Sequence, residues 1–90
     1  MLSIAVCDDE ALQCCTLSKK IQVILERMHI PCTVRQFYSG NALLEEAGYF
    51  DILFLDILMQ GLDGMETARI FRQSSSDQIL IFISSSREYV

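Results

Sequence analysis

One proline (Pro31), one histidine (His29) and two lysines (Lys19 and Lys20) are all that 90 residues contain of those types, and each scarcity narrows what the chain can be. A single histidine beside four cysteines (Cys7, Cys14, Cys15 and Cys32), none of them in a C-x-x-C pair, leaves no zinc-ligand spacing. Cys14 and Cys15 are adjacent and are not expected to bridge each other. The four thiols are expected to be reduced, in a cytoplasmic protein, and to serve as small apolar side chains. Basic residues are outnumbered, 7 against 12 acidic ones, and the resulting net charge of −5 argues against direct nucleic-acid binding by this segment. No apolar run approaches the ~20 residues that span a bilayer. No basic stretch precedes a long apolar one at the N-terminus, so neither a membrane span nor a signal peptide is expected. What is present is 51% hydrophobic residues in a length that allows one small domain with a single modest core.

Apolar runs and helical periodicities alternate along the chain. Residues 2–7 read as a strand. Residues 11–28 read as a helix whose core stripe is Leu17, Ile21, Ile24, Leu25 and Met28, at spacings of three and four. Pro31 excludes further helix. Residues 32–37 alternate apolar and polar as an edge or half-buried strand would. Ser39 can cap a short helix over 41–47, ended by Gly48. A strand over 51–56 follows, then a loop from Ile57 to Gly64. Asp63, with Glu66 three places on, predicts the start of a helix over 65–72. Ser74-Ser75-Ser76-Asp77 is a turn, residues 79–83 form a strongly apolar strand, and Arg87 to Val90 could begin another helix. This βαβαβαβ order predicts a parallel sheet with helices on both faces.

Three aspartates stand at strand ends. Asp8 and Asp9 close Ser3-Ile4-Ala5-Val6-Cys7, and Asp56 closes Asp51-Ile52-Leu53-Phe54-Leu55. In open α/β folds, ligands bind beyond the carboxyl ends of the strands. Three acids at one rim repel each other unless a cation or protons neutralise them. All-oxygen carboxylate donors suit a hard ion such as Mg²⁺. Taken alone, Asp8-Asp9 also fits a polar strand-to-helix turn with Asp9 as a helix cap, Asp63 fits a cap, Glu10 fits a solvated first-turn acid and Ser84 fits a loop-starting serine.

Val6-Cys7-Asp8-Asp9-Glu10, Phe54-Leu55-Asp56-Ile57-Leu58-Met59, Gly61-Leu62-Asp63-Gly64-Met65-Glu66 and Phe82-Ile83-Ser84 together resemble the receiver domain of two-component response regulators, in the flavour that precedes LytTR-type DNA-binding domains. The resemblance covers the whole chain in order. It implies a flavodoxin-like (CheY-like) parallel sheet of order 2-1-3-4, lacking the last strand and helix. It implies Asp56 as phosphoryl acceptor, Asp9 as direct Mg²⁺ ligand, Asp8 as a ligand through water, the Leu58 carbonyl as a further ligand, and Ser84 as the hydroxyl that moves to the phosphoryl group. The implied partners are a sensor histidine kinase, which could meet the α-helical surface around Gln13, Lys20 and Arg27, and an output domain. Gln60 stands where the family usually has proline, which should loosen the acceptor loop. The family's fifth-strand lysine has no counterpart, since Lys19 and Lys20 fall in the first helix. The chain is therefore expected to be a receiver missing its C-terminal portion, with phosphorylation slower, or its product less effective at switching, than in a complete domain. Its exposed strand 79–83 is expected to dimerise by edge pairing or segment exchange. The competing expectations are a non-phosphorylated pseudo-receiver and a small Mg²⁺-dependent aspartyl-phosphate phosphatase. The phosphatase lacks the second Asp of a D-x-D motif at Asp56-Ile57-Leu58. A flavin-binding domain is disfavoured, because Asp8-Asp9 would repel phosphate.

Overall fold

A computed structural model of the chain describes residues 1–46, 50–59, 61–74 and 77–83. The elements run β1 (Leu2–Cys7), α1 (Ala11–Arg27), β2 (Cys32–Phe37), α2 (Gly40–Glu45), β3 (Ile52–Asp56), α3 (Gly64–Ser74) and β4 (Ile79–Ile83). All pairings are parallel and the strand order is β2-β1-β3-β4, the sheet expected from the sequence. The fifth strand and final helix implied by the resemblance have no counterpart among the described residues, and the helix expected from Arg87 lies outside them, as does Gly48. No helix among the described residues is long and apolar enough to cross a membrane.

β1 and β3 carry apolar residues on both faces because both faces are covered. On one side Ile4 and Val6 pack with Cys14 and Ile21 of α1. On the other, Ala5, Cys7, Leu53 and Leu55 pack with Leu43 of α2 and Ala68 of α3. Ile4, Val6, Leu53 and Leu55 are at most 1% exposed, and burying each such side chain contributes about 1.5–3 kcal/mol.

The stripe of α1 differs from the one expected. Leu17, Ile21 and Leu25 do face the sheet, but Ile24 and Met28 are more than half exposed. The buried line is completed by Cys14 and Ser18 instead. Ser18 can be buried because its hydroxyl donates to the Cys14 carbonyl at 2.7 Å. The helix stops at Arg27 before Pro31 acts. His29 adopts a positive φ of 57°, and the Ile30 amide donates back to the Leu25 carbonyl at 2.9 Å, a left-handed C-terminal cap. At the other end the N-cap is Glu10, with no side-chain cap bond, so neither Asp9 nor Glu10 fills the place expected of it.

Ser39 caps α2 as expected, accepting from the Ala42 amide at 3.0 Å. Asp63 caps α3, its Oδ1 accepting from the Glu66 amide at 2.9 Å. α3 starts one residue earlier than expected, at Gly64, and α2 at Gly40. Asp51 ties the N-terminal ends of the strands together. Its Oδ2 accepts from the Ser3 amide at 2.7 Å, its amide donates to the Ser3 carbonyl, and its carbonyl accepts from the Ile79 amide. β4 lies at the sheet margin, with Ile79, Ile81 and Phe82 exposed.

Candidate functional site

Cys7 of β1 pairs in register with Leu55 of β3, so the residues just past them, Asp8 and Asp56, emerge side by side. The Asp8 amide donates to the Phe37 carbonyl at 3.0 Å, carrying the ladder one step beyond β1 before the chain turns into α1. Asp8 Oδ1 accepts from the Glu10 amide at 2.9 Å, which fixes the turn. Asp9 is exposed, whereas Asp8 is 3% and Asp56 is 1% exposed. One carboxylate oxygen from each of the three lies within 4.8 Å of the others.

Asp56 Oδ1 accepts from the Leu58 amide at 3.1 Å, which holds the loop against the acid. Asp56 Oδ2 is fully buried and has no hydrogen-bond partner among the described residues. Asp51 behaves differently. The carboxylate beside the start of β3 is engaged by an amide, while the one at its end keeps an oxygen unanswered. A buried unpaired carboxylate oxygen costs several kcal/mol unless a cation or proton meets it, a sizeable share of the about 5–15 kcal/mol that holds a typical domain folded.

Burial pushes the Asp56 carboxyl up to about 6, and repulsion from Asp8 and Asp9 adds to the rise, while the Leu58 amide works against it. A proton shared with Asp8 is one relief. A divalent cation is the other, and it is available at neutral pH. Oxygens around one Mg²⁺ stand within about 4.2 Å of each other, so the trio is gathered at nearly that scale with the hard donors such an ion takes. The residues present therefore fit a Mg²⁺ ion.

The sequence-predicted residues Asp8, Asp9 and Asp56 are brought together, and Leu58 is joined to Asp56 through its amide; Ser84 lies outside the described residues. The β4 residue before it, Ile83, is in register with Asp56 and its carbonyl accepts from the Ile57 amide at 2.9 Å. Sequence reasoning missed the residues that hold the rim from below. A Cβ on Gly64 would stand 2.2 Å from the Asp56 carbonyl oxygen, and one on Gly40 would stand 2.1 Å from Thr67 Oγ1 and 2.9 Å from the Leu62 carbonyl oxygen. Glycine opening a helix, against its propensity, was the available signal. Cys7 carried no such signal. Its buried thiol, pushed up to about 12 mainly by burial, stays protonated between two loops.

The chain matches the response regulator receiver domain over residues 4–90. It is 33% identical over 67 residues to response regulator ArlR of Staphylococcus aureus, an alignment that takes in 72% of this chain and 31% of that protein. It thus spans about a third of the length of the curated relatives it matches. Among solved structures it resembles response regulator TrrA of Thermotoga maritima, crystallised with Mg²⁺ and BeF, at a TM-score of 0.82 and 26% identity over 99% of this chain and 74% of that one. It also resembles TrrA as crystallised with the histidine kinase ThkA, at a TM-score of 0.74 and 26% identity over 99% of this chain and 73% of that one. A parallel sheet that gathers three acids at one rim, a family match over nearly its whole length and these relatives agree: the chain belongs to the response regulator receiver domain family.

Proposed function

We propose that this receiver takes a phosphoryl group from a sensor histidine kinase onto Asp56, with Mg²⁺ held by Asp8, Asp9, Asp56 and the Leu58 carbonyl, and so switches an output domain. The observation that carries the reading is the buried Asp56 carboxylate with Oδ2 unanswered beside two further acids. When bound, the ion supplies positive charge that offsets the repulsion between an incoming phosphoryl dianion and the three carboxylates.

Asp56 acts as the nucleophile. A carboxylate oxygen forms the new bond to phosphorus as the bond from phosphorus to the kinase's histidine nitrogen breaks with its electron pair, leaving an acyl phosphate and, once that nitrogen takes a proton from solvent, a neutral imidazole. The Leu58 amide orients the carboxylate through Oδ1. Burial keeps bulk water away from the carboxylates of Asp56 and Asp8. In this reading Ser84 follows the end of β4 and donates a hydrogen bond to a phosphoryl oxygen. That movement would alter the packing of the β4 face and its output partner. The motif flavour points to a LytTR-type DNA-binding domain as that output partner. The margin of β4, which pairs only with β3 among the described residues and leaves Ile79 and Ile81 exposed, supports self-association of the chain. The intact acidic set speaks against a pseudo-receiver.

Treatment with acetyl phosphate and Mg²⁺ followed by peptide mass mapping tests the reading. One phosphoryl group should sit on Asp56, none without a divalent ion and none in Asp56→Asn. Label on another residue, or label retained by the variant, would overturn it.

A further inference from the structure

Resting on that reading, we infer that Cys7 is a positioning residue for the Mg²⁺ site. Its side chain is the wedge that sets the acceptor loop at its height against Asp8 and Asp9. Cys7 is the last residue of β1, is wholly buried, and directly precedes Asp8. Its Sγ lies 3.3 Å from the Ser39 carbonyl oxygen and 3.8 Å from Met59 Sδ. A thiol has one proton, so it donates to one neighbour at a time. The shorter contact fits the hydrogen bond, and the longer one is soft sulfur packing.

These two neighbours are the two loops beside the acids. Ser39 caps α2 at the exit of β2, and Gly40 next to it lies against the Leu62 carbonyl. Met59 is three residues past Asp56, adjacent to Leu58, and 9% exposed within the same core cluster as Cys7. The acceptor loop is tied at its ends, by the Ile57 amide to the Ile83 carbonyl at 2.9 Å and by the Gly64 amide to the Ile57 carbonyl at 3.3 Å. Between those ties, Met59 reaches into the core, and what it meets there is the side chain that precedes the acids of β1. Shortening either partner lets the Leu58–Met59 backbone sink or tilt, which moves one proposed donor of the ion relative to the others.

The test is Mg²⁺ binding, by titration calorimetry and by the rise in melting temperature, to the 90-residue chain and to Cys7→Ala, Cys7→Val, Met59→Ala and the Cys7→Ala/Met59→Ala pair. Residues that orient metal ligands typically change affinity 10–100-fold, so Cys7→Ala and Met59→Ala should each raise the Mg²⁺ dissociation constant about 10-fold. Valine refills the space and should return it to within about threefold of wild type, and the double variant should be much weaker than wild type yet well short of the product of the singles. A folded Cys7→Ala, or Met59→Ala should the former not fold, that binds Mg²⁺ like wild type assigns the contact to stability alone and overturns the inference. Additive losses overturn it too. A wild-type chain that binds no Mg²⁺ would instead remove the proposed function, and this inference with it.

Discussion

Asp56→Asn should make the ion-free fold more stable at neutral pH, although it removes the residue on which the proposed chemistry depends. The carboxyl of Asp56 is raised from 3.8 to about 6 by burial and by the neighbouring acids. A folded-state value above the unfolded one means that the native chain binds the proton more tightly. The stability this group contributes is full below pH 4 and is lost as pH rises through 6. At 1.36 kcal/mol per pH unit, ionising Asp56 in the folded chain costs about 3 kcal/mol at pH 7. Asparagine is neutral, nearly isosteric, and can keep the Leu58 amide bond through its own oxygen. The variant should therefore gain about 1–3 kcal/mol at pH 7 in EDTA, which in a domain of this size raises the melting temperature by roughly 4–24 °C. Urea melts of both proteins at pH 7 and pH 5 measure it. The gap should shrink by roughly 1–2 kcal/mol at pH 5, where the native aspartate regains its proton. Mg²⁺ at a hundredfold excess over its dissociation constant should stabilise wild type by about 2.7 kcal/mol and the variant far less. A variant less stable than wild type at pH 7, or a gap independent of pH, would refute the claim that Asp56 is a strained anion awaiting a cation.

Two further substitutions probe the frame that presents the acids. Gly64→Ala, which propensity alone would make stabilising at a helix start, should instead cost about 1–3 kcal/mol in a denaturant melt, because the new methyl falls on the Asp56 carbonyl oxygen. His29→Gly should gain about 0.5–1 kcal/mol, since a glycine takes the φ of 57° at the end of α1 without the penalty histidine bears.

The strands were legible because β1, β3 and β4 are short apolar runs closed by a polar residue and β2 alternates apolar and polar, and β1, β2 and β4 begin and end where those patterns do. The parallel alternation then placed Asp8, Asp9 and Asp56 at one rim, and the structure brings them together. The stripe of α1 was less legible. A stripe traced on the larger Leu, Ile and Met side chains passes over Cys14 and Ser18, which face the sheet while Ile24 and Met28 face outward. Ser18 is admitted by its bond to a backbone carbonyl, a local arrangement that a hydrophobicity pattern does not register. α2 and α3 each start one residue earlier than expected, at Gly40 and Gly64, where a glycine gives no helical signal of its own. Close approach of neighbouring backbone and side chains requires glycine at both positions, and that requirement is tertiary. The Cys7–Met59 contact joins residues 52 apart in sequence and left no local trace.

The central claim is that the ends of β1 and β3 jointly hold one divalent ion. Crystals of this chain grown with Mn²⁺ in place of Mg²⁺, with diffraction recorded at the manganese edge, test it directly. A single strong anomalous peak is expected among the carboxylates of Asp8, Asp9 and Asp56, lost in Asp56→Ala. Manganese bound elsewhere on the chain, with no peak at that rim, would contradict it.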